Sequence, residues 1–247
     1  MLREVLELEQ HNFNEFCRDY PTMHENIDEA CQKLVDVGFY LHDQLISNTQ
    51  YPFIGSLLLG IHRSLAVSAL RFATRDHDEA LMLLRMACEQ ARDLTVLVRN
   101  PLLFFLWKRY RLNRQSLDKE DWEKFRKEFK FDLSTELGKR SKWVYDHTSE
   151  VGVHGAGILS SHYRKLPPSE SNERLNILLI GLISLPALSR ACLQPFFMEH
   201  SAQIAAKFQV TFEDFLLDLD LRYSVVLVRL MLASKELDKA LEKNPTR

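Results

Sequence analysis

Apolar positions along this chain recur at intervals of three and four, and that spacing predicts helices almost throughout. Ile27, Ala30, Leu34, Val37, Leu41 and Leu45 form one stripe, within a helix read from about Thr22 to Ser47. Leu81, Leu84, Cys88, Ala91, Thr95 and Val98 form another, with Arg85, Glu89, Arg92 and Arg99 along one flank. Asp76 with Glu79 three residues on is a capping-box-like start for that helix, and Asn100-Pro101 ends it. Ahead of these, an amphipathic helix covers roughly Leu2 to Arg18 and breaks at Tyr20-Pro21-Thr22. Pro52 suits the first turn of a helix that ends near Arg75.

Beyond Pro101 a short aromatic helix is predicted, and the pattern then changes. From about 113 to 132 the chain is highly charged, with Trp122, Phe125 and Phe129 spaced to give one thin apolar edge. That reads as a solvent-facing helical elaboration whose edge would meet a protein partner. A helix follows from about Ser134 to His154, weakened by Gly152 and stopped by Gly155 and Gly157. Residues Ser160 to Glu173 read as a loop. From Asn172 the chain is apolar enough for a buried helix, which Pro186 should kink or break. A last helix runs from Thr211 to about Glu242. The expectation is an all-α fold: one domain over 1–247, a bundle of seven to nine mainly antiparallel helices.

Composition agrees with that class. Only eight Gly and eight Pro in 247 residues leave little chemistry for turns, which favours long helices. A net charge of −2 gives no global pull toward nucleic acid or anionic membrane, although local basic patches remain. Cys17, Cys31, Cys88 and Cys192 form no CxxC pair, so they read as reduced thiols in a cytoplasmic protein. The N-terminal residues are charged and amphipathic, without the apolar segment of a secretion signal. The apolar stretch from Phe53 carries His62 and Arg63 near its middle. The one from Leu175 stays apolar for about 14 residues, too few to span. Both read as core helices, and no membrane association is expected.

The candidate chemistry centres on Arg140, His147 and His154, spaced seven and seven apart. Seven residues turn an α-helix through about 700°, so the three line one face. Arg140 and His147 would lie about 10.5 Å apart along the axis, near enough to converge on one phosphate. Such a pair suits RNA cleavage without metal. The histidine can remove the 2′-hydroxyl proton or protonate the leaving oxygen, and the arginine can stabilise charge on the phosphoryl oxygens.

Competing readings use the same residues. His147, Glu150 and His154 could all face one way as metal ligands, but a single helix rarely completes a site and no matching partner motif is present. The plainest alternative leaves His147 solvated and His154 at the helix C-terminus. Arg85 and Glu89, four apart, are equally an ordinary ion pair. The run Phe104 to Arg114 could stack bases and touch phosphates through Lys108, Arg109 and Arg111, with Lys139 and Lys142 as further contacts, or it could pack its apolar edge on the core. No phosphate-binding Gly-rich loop or nucleophile elbow is present, so no cofactor is expected.

The R-x6-H spacing of "RSKWVYDH" resembles the R-x4-6-H motif of the HEPN superfamily, compact helical bundles that include ribonucleases. The resemblance implies a homodimer acting on RNA, with Arg140 and His147 catalytic, in a bacterial stress or defence setting. A longer stretch, Leu81 to Gly155, resembles a family of uncharacterised bacterial helical proteins. That family pairs R-x3-E on one helix with an aromatic, a serine and a histidine on a later one. The matching positions are Arg85, Glu89, Tyr145, Ser149 and His154, which makes them supporting residues and His154 a rival to His147. A non-catalytic protein-binding or scaffold module is the alternative to an RNA-acting enzyme, and a metal-binding bundle is the second alternative.

Overall fold

The computed structural model describes residues 2–46, 51–112, 118–149 and 168–243. Among the described residues the chain forms ten α-helices and one 3₁₀ turn. The helices are α1 (Leu2–Asp19), α2 (Pro21–Ile46), α3 (Pro52–Ala73), α4 (His77–Arg99), α5 (Phe104–Leu112), α6 (Lys119–Glu128), α7 (Glu136–Thr148), α8 (Pro168–Glu199), α9 (Ser201–Phe208) and α10 (Phe212–Lys243). The 3₁₀ turn, Pro101–Leu103, joins α4 to α5. The fold is an all-α, multi-helix bundle.

Five helices carry the core. α3 lies between α2 and α4 and also meets α8, and α10 closes the ring by packing on both α2 and α8. The stripe read on α2 is buried from Ile27 to Leu45 and extended by Met23, and the α4 stripe faces it across α3. Apolar burial at roughly 25 cal/mol per Å² is what drives this assembly. Helices cross closely where glycine permits. A Cβ on Gly181 of α8 would come within 2.5 Å of Leu84 on α4, and one on Gly38 of α2 within 2.9 Å of His62 on α3.

α3 and α8 are long and apolar enough to cross a membrane by length and composition. Here Ile61 and Leu65 of α3, and Leu182 and Leu185 of α8, are at the centre of the core.

The local signals explain the element boundaries. Asp76 accepts a hydrogen bond from the Glu79 amide at 3.3 Å, which starts α4, and Thr135 accepts one from Gly138 at 3.1 Å to start α7. α8 differs from expectation at its start. It begins at Pro168, inside the segment read as a loop. Arg174 anchors that polar first section, reaching Glu170 at 3.1 Å and Asp78 of α4 at 2.6 Å. The helix then runs through Pro186 and Pro195 without a break. A proline forgoes one backbone bond, and Leu182, Leu185 and Leu188 hold the surrounding turns against the core. α9 is an element the sequence pattern did not resolve; Gln209, at φ 53°, turns the chain out of it.

Residues 113–117 of the charged middle segment lie outside the described residues; in the rest, the charged side chains of α6 stay mostly exposed and the aromatic edge turns inward. Phe125 and Phe129 are 4% exposed, and the Phe125 ring stacks on Tyr110 of α5 at 3.8 Å. Trp122 stacks on the same tyrosine at 5.7 Å. The edge expected to receive a partner is therefore covered by α5 of the same chain, because Tyr110 supplies the facing ring.

Candidate functional site

α4, α5 and α7 meet along one flank of the bundle and build a polar cluster there. α4 contributes Arg85, Glu89, Arg92 and Asp93; α5 contributes Trp107 and Arg111; α7 contributes Tyr145, with Ser149 just past its end. Positions 85, 89 and 92 fall beside the buried stripe, so their polar ends sit at the boundary between core and solvent, while Asp93 is buried.

Asp93 is the centre of the cluster. Its carboxylate is 0% exposed and accepts hydrogen bonds from three side chains. Arg92 donates to Oδ1 from Nε at 3.0 Å and Nη2 at 2.7 Å. Trp107 Nε1 donates to Oδ2 at 2.8 Å, and Arg111 donates to the same oxygen from Nε at 3.1 Å and Nη2 at 2.5 Å. Arg111 also approaches Glu89 at 3.5 Å.

Glu89 in turn faces Arg85 at 3.6 Å. Arg85 donates to Ser149 Oγ at 2.6 Å and to Tyr145 OH at 3.0 Å, and its guanidinium lies 4.7 Å from the centre of the Tyr145 ring. Side-chain exposures of 26% for Arg85, 24% for Glu89 and 31% for Arg111 leave this end of the cluster open to solvent. Three guanidiniums face two carboxylates, an excess of one positive charge.

Four of the residues singled out in the sequence thus meet: Arg85, Glu89, Tyr145 and Ser149. The fifth member of that set, His154, lies outside the described residues, as does Glu150 of the metal reading. Among the described residues no group of three His, Cys, Asp or Glu side chains is placed to hold a metal ion. Arg111, expected as a phosphate contact, is part of the cluster. Asp93, Arg92 and Trp107 complete it. Asp93 was legible only as a charge set between Ala91 and Leu94, both buried.

Arg140 and His147 sit on the outer side of α7. Arg140 pairs with Glu136 at 3.1 Å, both side chains more than half exposed. Its guanidinium therefore reaches back one turn, away from His147. The His147 ring lies 3.9 Å from the Trp143 ring, and Nδ1 donates to the Trp143 carbonyl at 2.9 Å. A carbonyl can only accept, so Nδ1 carries the proton and Nε2 is the nitrogen left for acid–base chemistry. Within one chain the pair shares a face but does not meet.

The remaining basic candidates are on the surface. Lys108 and Lys139 are exposed, Arg109 is paired with Asp121 of α6, and Lys142 holds Asp146 at 2.6 Å. No family model, curated protein or solved structure matches the chain.

Proposed function

We propose that the chain acts on RNA in the cytoplasm as a metal-independent phosphodiester-cleaving helical bundle. Its phosphate contact is the open end of the α4–α5–α7 cluster, and its chemistry lies on the outer face of α7. The observation that carries this reading is the geometry of Arg85. Three of its directions are taken by Glu89, Tyr145 and Ser149, which fixes the guanidinium in place at the surface of the bundle. A guanidinium has five N–H donors in a planar fork, so a fixed one retains capacity for a phosphate. His147, whose Nε2 has no hydrogen-bond partner among the described residues, is the acid–base group, and Arg140 stabilises phosphoryl charge once substrate competes with Glu136.

The test is cleavage of a mixed RNA panel by metal-stripped protein with EDTA present. Wild type should leave 2′,3′-cyclic phosphate ends. His147→Ala should lose about 10²–10⁴-fold in rate and Arg140→Ala a comparable factor. Arg85→Gln should raise KM with little change in kcat, because it binds rather than reacts. Folded wild-type protein that neither binds nor cuts any RNA removes the reading.

A second reading is a binding module that works through self-association, and α10 favours it. Its inner side, from Phe215 through Leu219, Tyr223, Val226 and Leu230, is buried. Its outer side shows a second stripe: Leu217, Leu221, Val225, Val228 and Leu232 are each 40% exposed or more. Spacings of four, four, three and four are those of a helix that packs on another helix. A two-fold axis between Ser224 and Val225 would lay two copies antiparallel. Leu217 would then face the partner's Leu232, Leu221 the partner's Val228, and exposed Asp214 the partner's Lys235. Sedimentation at roughly 100 µM should show a dimer, and Leu221→Asp with Val228→Asp should give a folded monomer. A monomeric wild type at that concentration rules out the second copy.

A further inference from the structure

A cavity of about 180 Å³ opens between α4, α7, α8 and the 130–135 segment. Its floor is apolar, built from Phe131, Leu137 and the buried Leu188. Its rim is basic. Arg92, Arg99 and Lys130 border it, against a single rim carboxylate, Asp132. Counting Asp93, which pairs with Arg92 from behind, the site still has one positive charge in excess. Arg92 lies 6.0 Å from the Phe131 ring centre with only 12% of its side chain exposed, so its position is set by packing. Arg99 is 59% exposed and holds Asp132 at 2.6 Å.

Size, floor and rim together define the occupant. An apolar cavity of about 150 Å³ is known to accept benzene. A cavity slightly larger than that, with cations at its mouth, suits one ring bearing one anionic group. A planar guanidinium matches a carboxylate two bonds at a time. We propose that this cavity is a binding site for a small aromatic monocarboxylate, its ring on Leu188 and Phe131 and its carboxylate between Arg99 and Lys130. The RNA-acting reading plays no part in this assignment, and either can fail alone.

Benzoate, benzamide and inorganic phosphate separate the contributions, with binding followed by ligand-observed NMR on the intact chain. Benzoate should bind with a Kd below ~10 mM, as a ligand of that size can. Benzamide, which keeps the ring and loses the charge, should bind about ten-fold more weakly, and phosphate, which keeps charge and loses the ring, should not bind. Arg99→Gln changes an exposed side chain and should bring benzoate down to the benzamide level. Ala191→Trp, at the exposed mouth of the cavity, should block both. The proposal is overturned if benzoate does not bind, if benzamide or phosphate binds as well as benzoate, or if benzoate binding survives both substitutions.

Discussion

Asp93→Ala should lower the unfolding free energy by about 3–5 kcal/mol, the loss expected when one partner of a buried ion pair is removed. The magnitude follows from what is stranded. Five N–H bonds from Arg92, Arg111 and Trp107 converge on a carboxylate with no solvent exposure. Arg111 is 31% exposed and can turn to water, whereas Arg92 at 12% and the Trp107 indole have less freedom. That places the expected value at the lower end of the range. Asp93→Asn should recover little, since its amide group would present N–H to donors.

The loss should also be uneven across the molecule. α5 packs on the 3₁₀ turn and on α6, and its short polar ties to α4 run through Trp107 and Arg111 to Asp93, with a longer one from Arg111 to Glu89 at 3.5 Å. The Phe53–Phe104 stack at 4.8 Å is an apolar tie that remains. Amide hydrogen exchange in Asp93→Ala should therefore speed up first in α5 and α6, while α2, α3 and α8 keep their protection. Urea unfolding gives the total and exchange gives the distribution. An unchanged midpoint with unchanged protection of α5 would show that the carboxylate contributes nothing net.

This cluster also marks how far the sequence could be read. The helical class followed from the three-and-four spacing because each stripe reports a single face, and a face must be buried somewhere. Arg85, Glu89, Tyr145 and Ser149 stood out through a resemblance that spans two helices, and those helices do meet. Asp93 did not stand out because its burial is not a property of α4 alone. It depends on the chain folding back at Pro101–Leu103 so that Trp107 and Arg111 cover it, and periodicity carries no information about that turn. The Trp122, Phe125 and Phe129 edge shows the same limit from the other side. Its apolar character was plain from the spacing, but the ring that covers it, Tyr110, belongs to a different helix. Pro186 read as a kink or break because local rules price the lost backbone bond and not the packing on either side of it, which keeps the helix continuous.

The fold should lose stability steeply as pH falls from about 6.5 to about 4, with two histidines as the cause. His62 is 0% exposed and His77 5%, and burial lowers the pKa of each to about 4. For His77 the nearby Arg174 and Arg75 add to that, while Asp78 and Asp76 oppose it. Among the described residues neither Nδ1 atom has a hydrogen-bond partner that would favour the charged ring. His62 Nε2 meets the Tyr223 hydroxyl at 3.4 Å, and the His77 ring is stacked on Phe72 at 4.3 Å. In the unfolded chain both titrate near 6.5. Below that pH the unfolded state takes up protons that the folded state refuses, so stability falls with falling pH until about 4. At about 1.4 kcal/mol per pH unit, each histidine contributes a loss on the order of 3 kcal/mol across the window. Two such losses approach the whole stability of a typical domain, about 5–15 kcal/mol. Asp132 acts in a separate range. Bonds from Ser134 and Arg99 hold its carboxyl at about 2, so its contribution is lost only below the ordinary carboxylate value. Urea midpoints measured between pH 7.5 and 4.5 should trace the decline, and His62→Met, close in volume and unable to titrate, should halve its slope. A slope that His62→Met leaves intact would place the acid sensitivity elsewhere.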